Sequence, residues 1–544
     1  MLDLENISNH NPAALPGENE MSVRKTLAVL AAAAGSAFGP ATMAQTHGHD
    51  SSAGSGKVHF QVDCNESAQR EFNTALAYFH SFDQVGKNRV TPALDRALAA
   101  DSTCGMAHWL RALALLDNPF AWPGAISAKA KSDAVSALES ARKTGLKSQR
   151  ERDYVDALSV YFNDFDKQGH PARMNALVSA FEQLAARYPD DSEASVFYAL
   201  FLSVNFDPSD KNYTNQLRAV AILEPLYAKP PQHPGLAHYL IHSYDYPALA
   251  SRGVEVAKRY AKIAPDAPHA LHMPSHIFTL TGLWRDSIDA NRAAAAAAGD
   301  TTPAHHALDY MAYAQLQLGE AAQARETMRR QQSMKVIESF TAAYSYAAIP
   351  ARVAIETDSW DEAAKLPQWP SSEGYAWKKF APAEAVNVFA RGIGLAMKGA
   401  TGDARKEAAR LVALRDAAAP VWGDYWAEQI DIQAELVRAI ATYFDGQRGA
   451  GISALQSAAN RQDAREKHVV APGPVVPARE MLATMLMVDG RPRDAFLEYE
   501  KVLAKEPNRL RALKGMAKSA QQAGDAKNAE LYAEMVSKQT RLEK

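Results

Sequence analysis

The sequence predicts an all-α protein, a solenoid of roughly nine or ten stacked helix pairs. Three observations lead there. LMVDGRPRDAFLEYEKVLAKEPN is followed by AQQAGDAKNAELYAEMV, so that Gly490 and Gly524, and likewise Ala495 and Ala529, stand 34 residues apart. β-Branched alternation never persists beyond a few residues, which leaves almost no strand signal. The chain, 544 residues with 47% hydrophobic and 22% charged, has globular composition and the length for a long repeat array. A helix pair cannot bury its own apolar face, so neighbours stack into one continuous core and leave a curved groove.

The elements follow in chain order. Residues 1–20 read as an upstream leader. From Met21 come Arg24 and Lys25, the apolar run TLAVLAAAAGSAF and then ATMAQ, with small Thr42 and Ala44 where a signal peptidase reads. We therefore expect a signal peptide over 21–44, cleaved after Ala44, and a periplasmic or secreted protein. The run is shorter than the roughly 20 residues that span a bilayer, so no membrane span is expected in the mature chain. Residues 45–65 form an N-terminal tail beginning QTHGHD. His47 in third place would suit a square-planar Cu(II) or Ni(II) site, but a tail with incidental histidines is the preferred reading. Cys64 and Cys104, the only two cysteines, flank the first predicted hairpin and are expected to pair in an oxidising compartment. A net charge of −3 argues against a nucleic-acid partner.

Residues 66–544 are the solenoid. A turn glycine, a small residue five positions on and a closing proline, Pro507, make up a 34-residue unit that resembles the tetratricopeptide repeat. Weaker copies are LTGLWRDSIDANRAA and LQLGEAAQARETMRR. Two segments break the period: PQWPSSEGYAWKKFAP, residues 367–382, read as a packed connector in preference to a lid over the groove, and KHVVAPGPVVP, residues 467–477. The blocks ALAYFHSF, CGMAHWLRALALLDNPF, HYLIHSYDYP, HMPSHIF and PGPVVPARE resemble a group of exported bacterial tetratricopeptide-repeat proteins. That resemblance implies architecture and location and carries no activity.

The chemistry is concentrated in residues 233–313. Eight of the 16 histidines fall between His233 and His306. His238 and His242 lie 34 residues before His272 and His276, and His306 lies 34 after His272. Aligned on Gly282 and Gly319 instead, His306 stands level with His269, Asp309 with His272 and Tyr313 with His276. Residues three, four and seven apart share a helix face. The repeat resemblance further implies that His269, His272, His276 and Thr279 face the concave groove. Pro274, inside HMPSH, removes the bond to the Ala270 carbonyl and is expected to bend or restart the helix.

Two i, i+4 histidine pairs on helices about 8 to 10 Å apart can converge on a transition metal. His238, His242, His272 and His276 are the predicted ligands of one centre, with His306 added. His269, His305, Asp245, Asp309, Tyr239 and Tyr313 are candidates to orient those rings or to replace one as ligand. Imidazole-rich sites suit Cu, Zn or Fe and not Mg or Ca. HExxH is absent, because Tyr239 follows His238 and Met273 follows His272. His80, His108, His170 and His468 read as structural. Two classes stay open: a metal-dependent enzyme with redox or hydrolytic chemistry on a small molecule, and a non-catalytic scaffold holding a peptide or protein partner in the groove.

Overall fold

A computed structural model describes residues 54–122, 126–229 and 232–541. The leader, the signal peptide and His47 lie outside them. The chain folds as an all-α, tetratricopeptide-type solenoid of twenty-four α-helical segments, with no strand among the described residues. Successive helices pair antiparallel, as Glu66–His80 does with Val90–Ala100 and Leu510–Ala523 with Ala526–Thr540. No described helix is long and apolar enough to cross a membrane.

Local chemistry sets the helix starts and stops. Asn65 Oδ1 accepts from the Ala68 amide at 2.9 Å and opens the first helix. Pro234 and Pro268 occupy first turns, where the missing N–H costs no intrahelical bond. Gly490 and Gly524 sit at φ 74° and 79°, the left-handed conformation that ends a helix and that a side chain resists. That requirement is what made the 34-residue period visible. The Cys64–Cys104 disulfide joins the first hairpin to the start of the next, with Cα atoms 5.1 Å apart.

Pro274 divides one repeat's first helix into Pro268–His272 and Pro274–Leu280. Met273 keeps helical dihedrals at φ −51° and ψ −37°, so His272 and His276 remain one turn apart. The three consecutive first helices Pro234–Tyr244, Pro268–Leu280 and Thr302–Gln317 are buried nearly all round.

The two irregular segments take different roles. Residues 367–382 pack as a connector: Trp377 Nε1 donates to the Pro370 carbonyl at 2.8 Å and Tyr375 OH to the Ile337 carbonyl at 3.1 Å. Residues 467–477 lie across the first helices. The Val469 carbonyl accepts from Tyr310 OH at 3.1 Å, and the Gly473 and Pro474 carbonyls accept from Arg352 at 2.9 and 3.0 Å. The groove cover is the second segment.

Candidate metal centre

The three first helices bring six imidazoles together in two sets. His238, His242 and His269 form one and His272, His276 and His306 the other, with the donor atoms within each set all inside 4.8 Å of one another. The four histidines expected to converge on one centre fall two in each set. His269, expected only to orient a ring, stands as a donor alongside His238 and His242. Rings of different sets are as close as rings within one: centroids are 5.9 Å apart for His242 and His276 and 6.0 Å for His269 and His272, against 6.4 Å for His242 and His269.

Hydrogen bonding fixes which nitrogen of each ring is free. The His80 carbonyl can only accept, so His238 donates to it through Nδ1 at 2.7 Å. Asn291 Oδ1 accepts from His272 Nδ1 at 2.6 Å, its orientation set by Asn291 Nδ2 donating to the Ser287 carbonyl at 2.7 Å. Asp245 Oδ2 accepts from His276 Nδ1 at 2.8 Å. Each of these rings therefore carries its proton on Nδ1 and its lone pair on Nε2. His272 Nε2 and His276 Nε2 then face each other at 3.0 Å, and His238 Nε2 faces His269 Nε2 at 3.1 Å. Among the described residues neither ring nitrogen of buried His242 has a hydrogen-bond partner.

Burial keeps these rings neutral. It pushes His238 and His306 down to about 3 and His242, His269 and His272 well below the ordinary imidazole value. For His276 burial outweighs the opposing pull of Asp245. Burial raises the Asp245 carboxyl, but Lys467 and His276 outweigh it and hold it below its usual value. Aromatic rings close the flanks: Phe120 stacks on His242 at 3.9 Å and Phe82 on His269 at 5.4 Å.

The remaining expected residues are placed differently. His305 Nε2 donates to the Lys335 carbonyl at 3.1 Å, on the other side of its helix. Asp309 pairs with Arg352 at 3.1 Å, and Tyr313 donates to Glu506 at 3.0 Å, so neither meets a histidine of the sets. Tyr239 OH lies 2.9 Å from His80 Nδ1, behind the His238 backbone bond. His80, expected to be structural, and His233 bond through Nε2 to the two oxygens of buried Glu193 at 3.1 and 2.7 Å, and these three residues form a third cluster with donor atoms inside 4.8 Å of one another. Sequence reasoning missed Asn291, Lys467, Phe82 and Phe120. Only Lys467 carried a signal, as the charged end of a segment that breaks the period.

The arrangement offers six nitrogen donors, with no carboxylate or thiolate among the facing atoms. Such a set suits Cu, Zn or Fe over Mg or Ca.

No protein-family model matches the chain, and no curated protein matches it. Solved structures similar to it include the APC/C hetero-tetramer Cut9–Hcn1, at 12% identity over 85% of this chain and 78% of that one with a TM-score of 0.36. The human IFIT1 dimer with m7Gppp-AAAA is 9% identical over 89% of this chain and 97% of that one, TM-score 0.37. Yeast Tom70 is 12% identical over 87% and 92%, TM-score 0.30.

Proposed function

We propose that this repeat scaffold is a transition-metal protein that binds two neighbouring ions, one in each three-histidine set. The observation that carries this is the 3.0 Å approach of His272 Nε2 to His276 Nε2 while both Nδ1 protons are committed to acceptors. Two lone pairs at that distance repel unless a positive charge sits between them. A proton would have to make an imidazolium where burial holds the rings neutral. A metal ion accepts both lone pairs and leaves the Nδ1 bonds as the orienting shell such ligands usually have. The unpartnered nitrogens of His242 support the same reading for the other set.

The closeness of the sets favours a paired centre able to share one small bridging ligand, the arrangement in which two ions act together on an oxygen substrate. An extended peptide in the groove accounts less well for six inward-facing imidazoles, four of them buried. We infer also that the protein acts outside the cytoplasm, a reading supported by the 21–44 pattern and the disulfide.

Elemental analysis of untagged protein tests this. Two equivalents of Cu, Zn or Fe per chain are expected, falling to one in His272→Ala with helix content unchanged, since alanine is the better helix former. Wild type free of all three metals after growth in metal-replete medium would end the proposal. Sequencing the exported chain should find Gln45 first.

A further inference from the structure

A cavity of about 240 Å³ opens on the histidine sets, lined by His242, His269, His276 and His306 at its inner end. His269 and His306, one from each set, are the two of the six that are not fully buried. The rest of the wall is mostly aromatic and aliphatic, with Asn118, His170, Thr302, Thr341 and His468 as its other polar residues. Phe340 packs at 4.2 Å on Trp422 and 5.2 Å on Trp426, and Phe120 covers the opposite side from its place on His242. Among the described residues no Asp, Glu, Lys or Arg lines it.

Each feature restricts what fits. A charged group buried without a partner is costly, so a wall without carboxylates rejects cationic ligands and peptide amino termini. Aromatic walls favour a flat ring, which stacks offset or edge-on. Size sets the scale: an apolar cavity of about 150 Å³ holds one benzene, so this one has room for about one or two fused rings. Polar groups of Asn118, Thr302, Thr341 and Tyr425 and the histidine ring nitrogens line the cavity and can partner a small hydroxyl or amide.

We infer that this cavity binds a planar aromatic molecule of one or two rings that carries no positive charge, with its polar substituent turned toward the histidines. The inference rests on the metal reading only for what that substituent meets at the inner end. It makes the cavity the ligand site of the centre and assigns Phe340, Trp422 and Trp426 as the residues that select for a flat ring.

The test is titration of the full exported chain with 2-naphthol, followed by calorimetry near pH 8. Saturable binding at one equivalent is expected. Decahydro-2-naphthol, apolar but not flat, and 2-naphthylmethylammonium, flat but charged, should each bind at least about tenfold more weakly. Thr341→Trp and Val470→Trp fill the cavity from two different elements, and each should weaken 2-naphthol at least about tenfold while keeping wild-type metal content and melting. His272→Ala should lose one of the two metal equivalents and retain 2-naphthol within a few fold. Absence of saturable binding, equal binding of the decahydro compound, or unchanged binding in both filled variants would overturn the inference. Failure of the metal reading is seen separately, as wild type that contains no metal whatever 2-naphthol does.

Discussion

Lys467 Nζ lies 3.0 Å from Asp245 Oδ1, although 222 residues separate them in the chain. The ammonium comes from the segment that crosses the groove, and the carboxylate is the one that holds His276. Asp245 is fully buried and Lys467 nearly so, so each charge depends on the other. Removing one partner of a buried pair strands the other and costs about 3 to 5 kcal/mol. Lys467→Met should therefore lower stability by roughly 3 kcal/mol in denaturant melts. The double variant with Asp245→Asn should be less destabilised than the sum of the two singles, because the second change removes the stranded charge.

Asn291 touches no proposed ligand atom, yet it sets which nitrogen of His272 faces inward. Asn291→Ala frees the ring to rotate or to change tautomer, and loss of such a partner costs about 10- to 100-fold in metal affinity. Asn291→Asp keeps an acceptor at the same place and should recover most of the affinity. A chelator competition titration separates this positioning role from a structural one, since a structural role predicts altered melting and no rescue by Asp.

The solenoid was legible because its requirements repeat. Gly490 and Gly524 must be left-handed at the same point of two units, and the i, i+4 spacing of His238 with His242 and His272 with His276 recurs one unit apart. The division of the histidines was not legible. Spacing places four rings on one face, but which rings meet depends on the rotation between adjacent helices, and that is set by packing of the whole stack. His269 joins His238 across a helix boundary for this reason. Asn291 lies on the second helix of its repeat, and Phe82 and Phe120 lie in turns between helices, where no periodic signal marks a residue as facing the groove. Asp309 had the right register, but Arg352 of the next repeat claims it.

Acid should destabilise the metal-free protein well above the carboxylate range. Burial holds His170 and His468 at about 4 and His238 and His306 at about 3, while each would titrate near 6.5 in the unfolded chain. Between those values the unfolded chain binds more protons, so the stabilisation is fully present above about pH 6.5 and is lost as pH falls toward 4. Denaturant midpoints measured from about pH 7 down to about pH 4 should decline throughout. His468→Phe, which keeps a ring against Trp426 and Tyr425 and removes one titrating group, should decline less steeply. An equal slope would mean that carboxylates control the acid transition.

The disulfide closes a stretch of 40 residues between Cys64 and Cys104. Chain-entropy arguments assign a loop of that length a stabilisation of about 4 kcal/mol. Thiol titration of the unfolded, unreduced protein should find no free cysteine, and Cys104→Ala with Cys64→Ala should lower the denaturant midpoint of the N-terminal repeats. Their local loss should exceed that of the C-terminal repeats, because stacked repeats are coupled chiefly to their neighbours.

Metal should stabilise the fold in a way that identifies the donors. An ion that binds only the folded state adds about 2.7 kcal/mol at a concentration 100 times its dissociation constant, so two sites would add about twice that. Wild type should therefore melt well above its chelated form. His272→Ala leaves the set of His238, His242 and His269 intact, so it should keep a reduced gap between loaded and chelated forms. His238→Ala should behave in the same way through the other set, and the double variant should show no gap. His170→Ala, on a helix outside both sets, should retain the full wild-type gap even if its absolute stability falls. Competition by protons gives an independent check. Binding requires neutral rings, so the metal-dependent part of the stability should vanish on acidification, earlier than the folded state itself is lost. If the double variant kept the chelation-sensitive gap, the stabilising ions would have to bind elsewhere, and the facing nitrogens of His272 and His276 would need another positive charge between them.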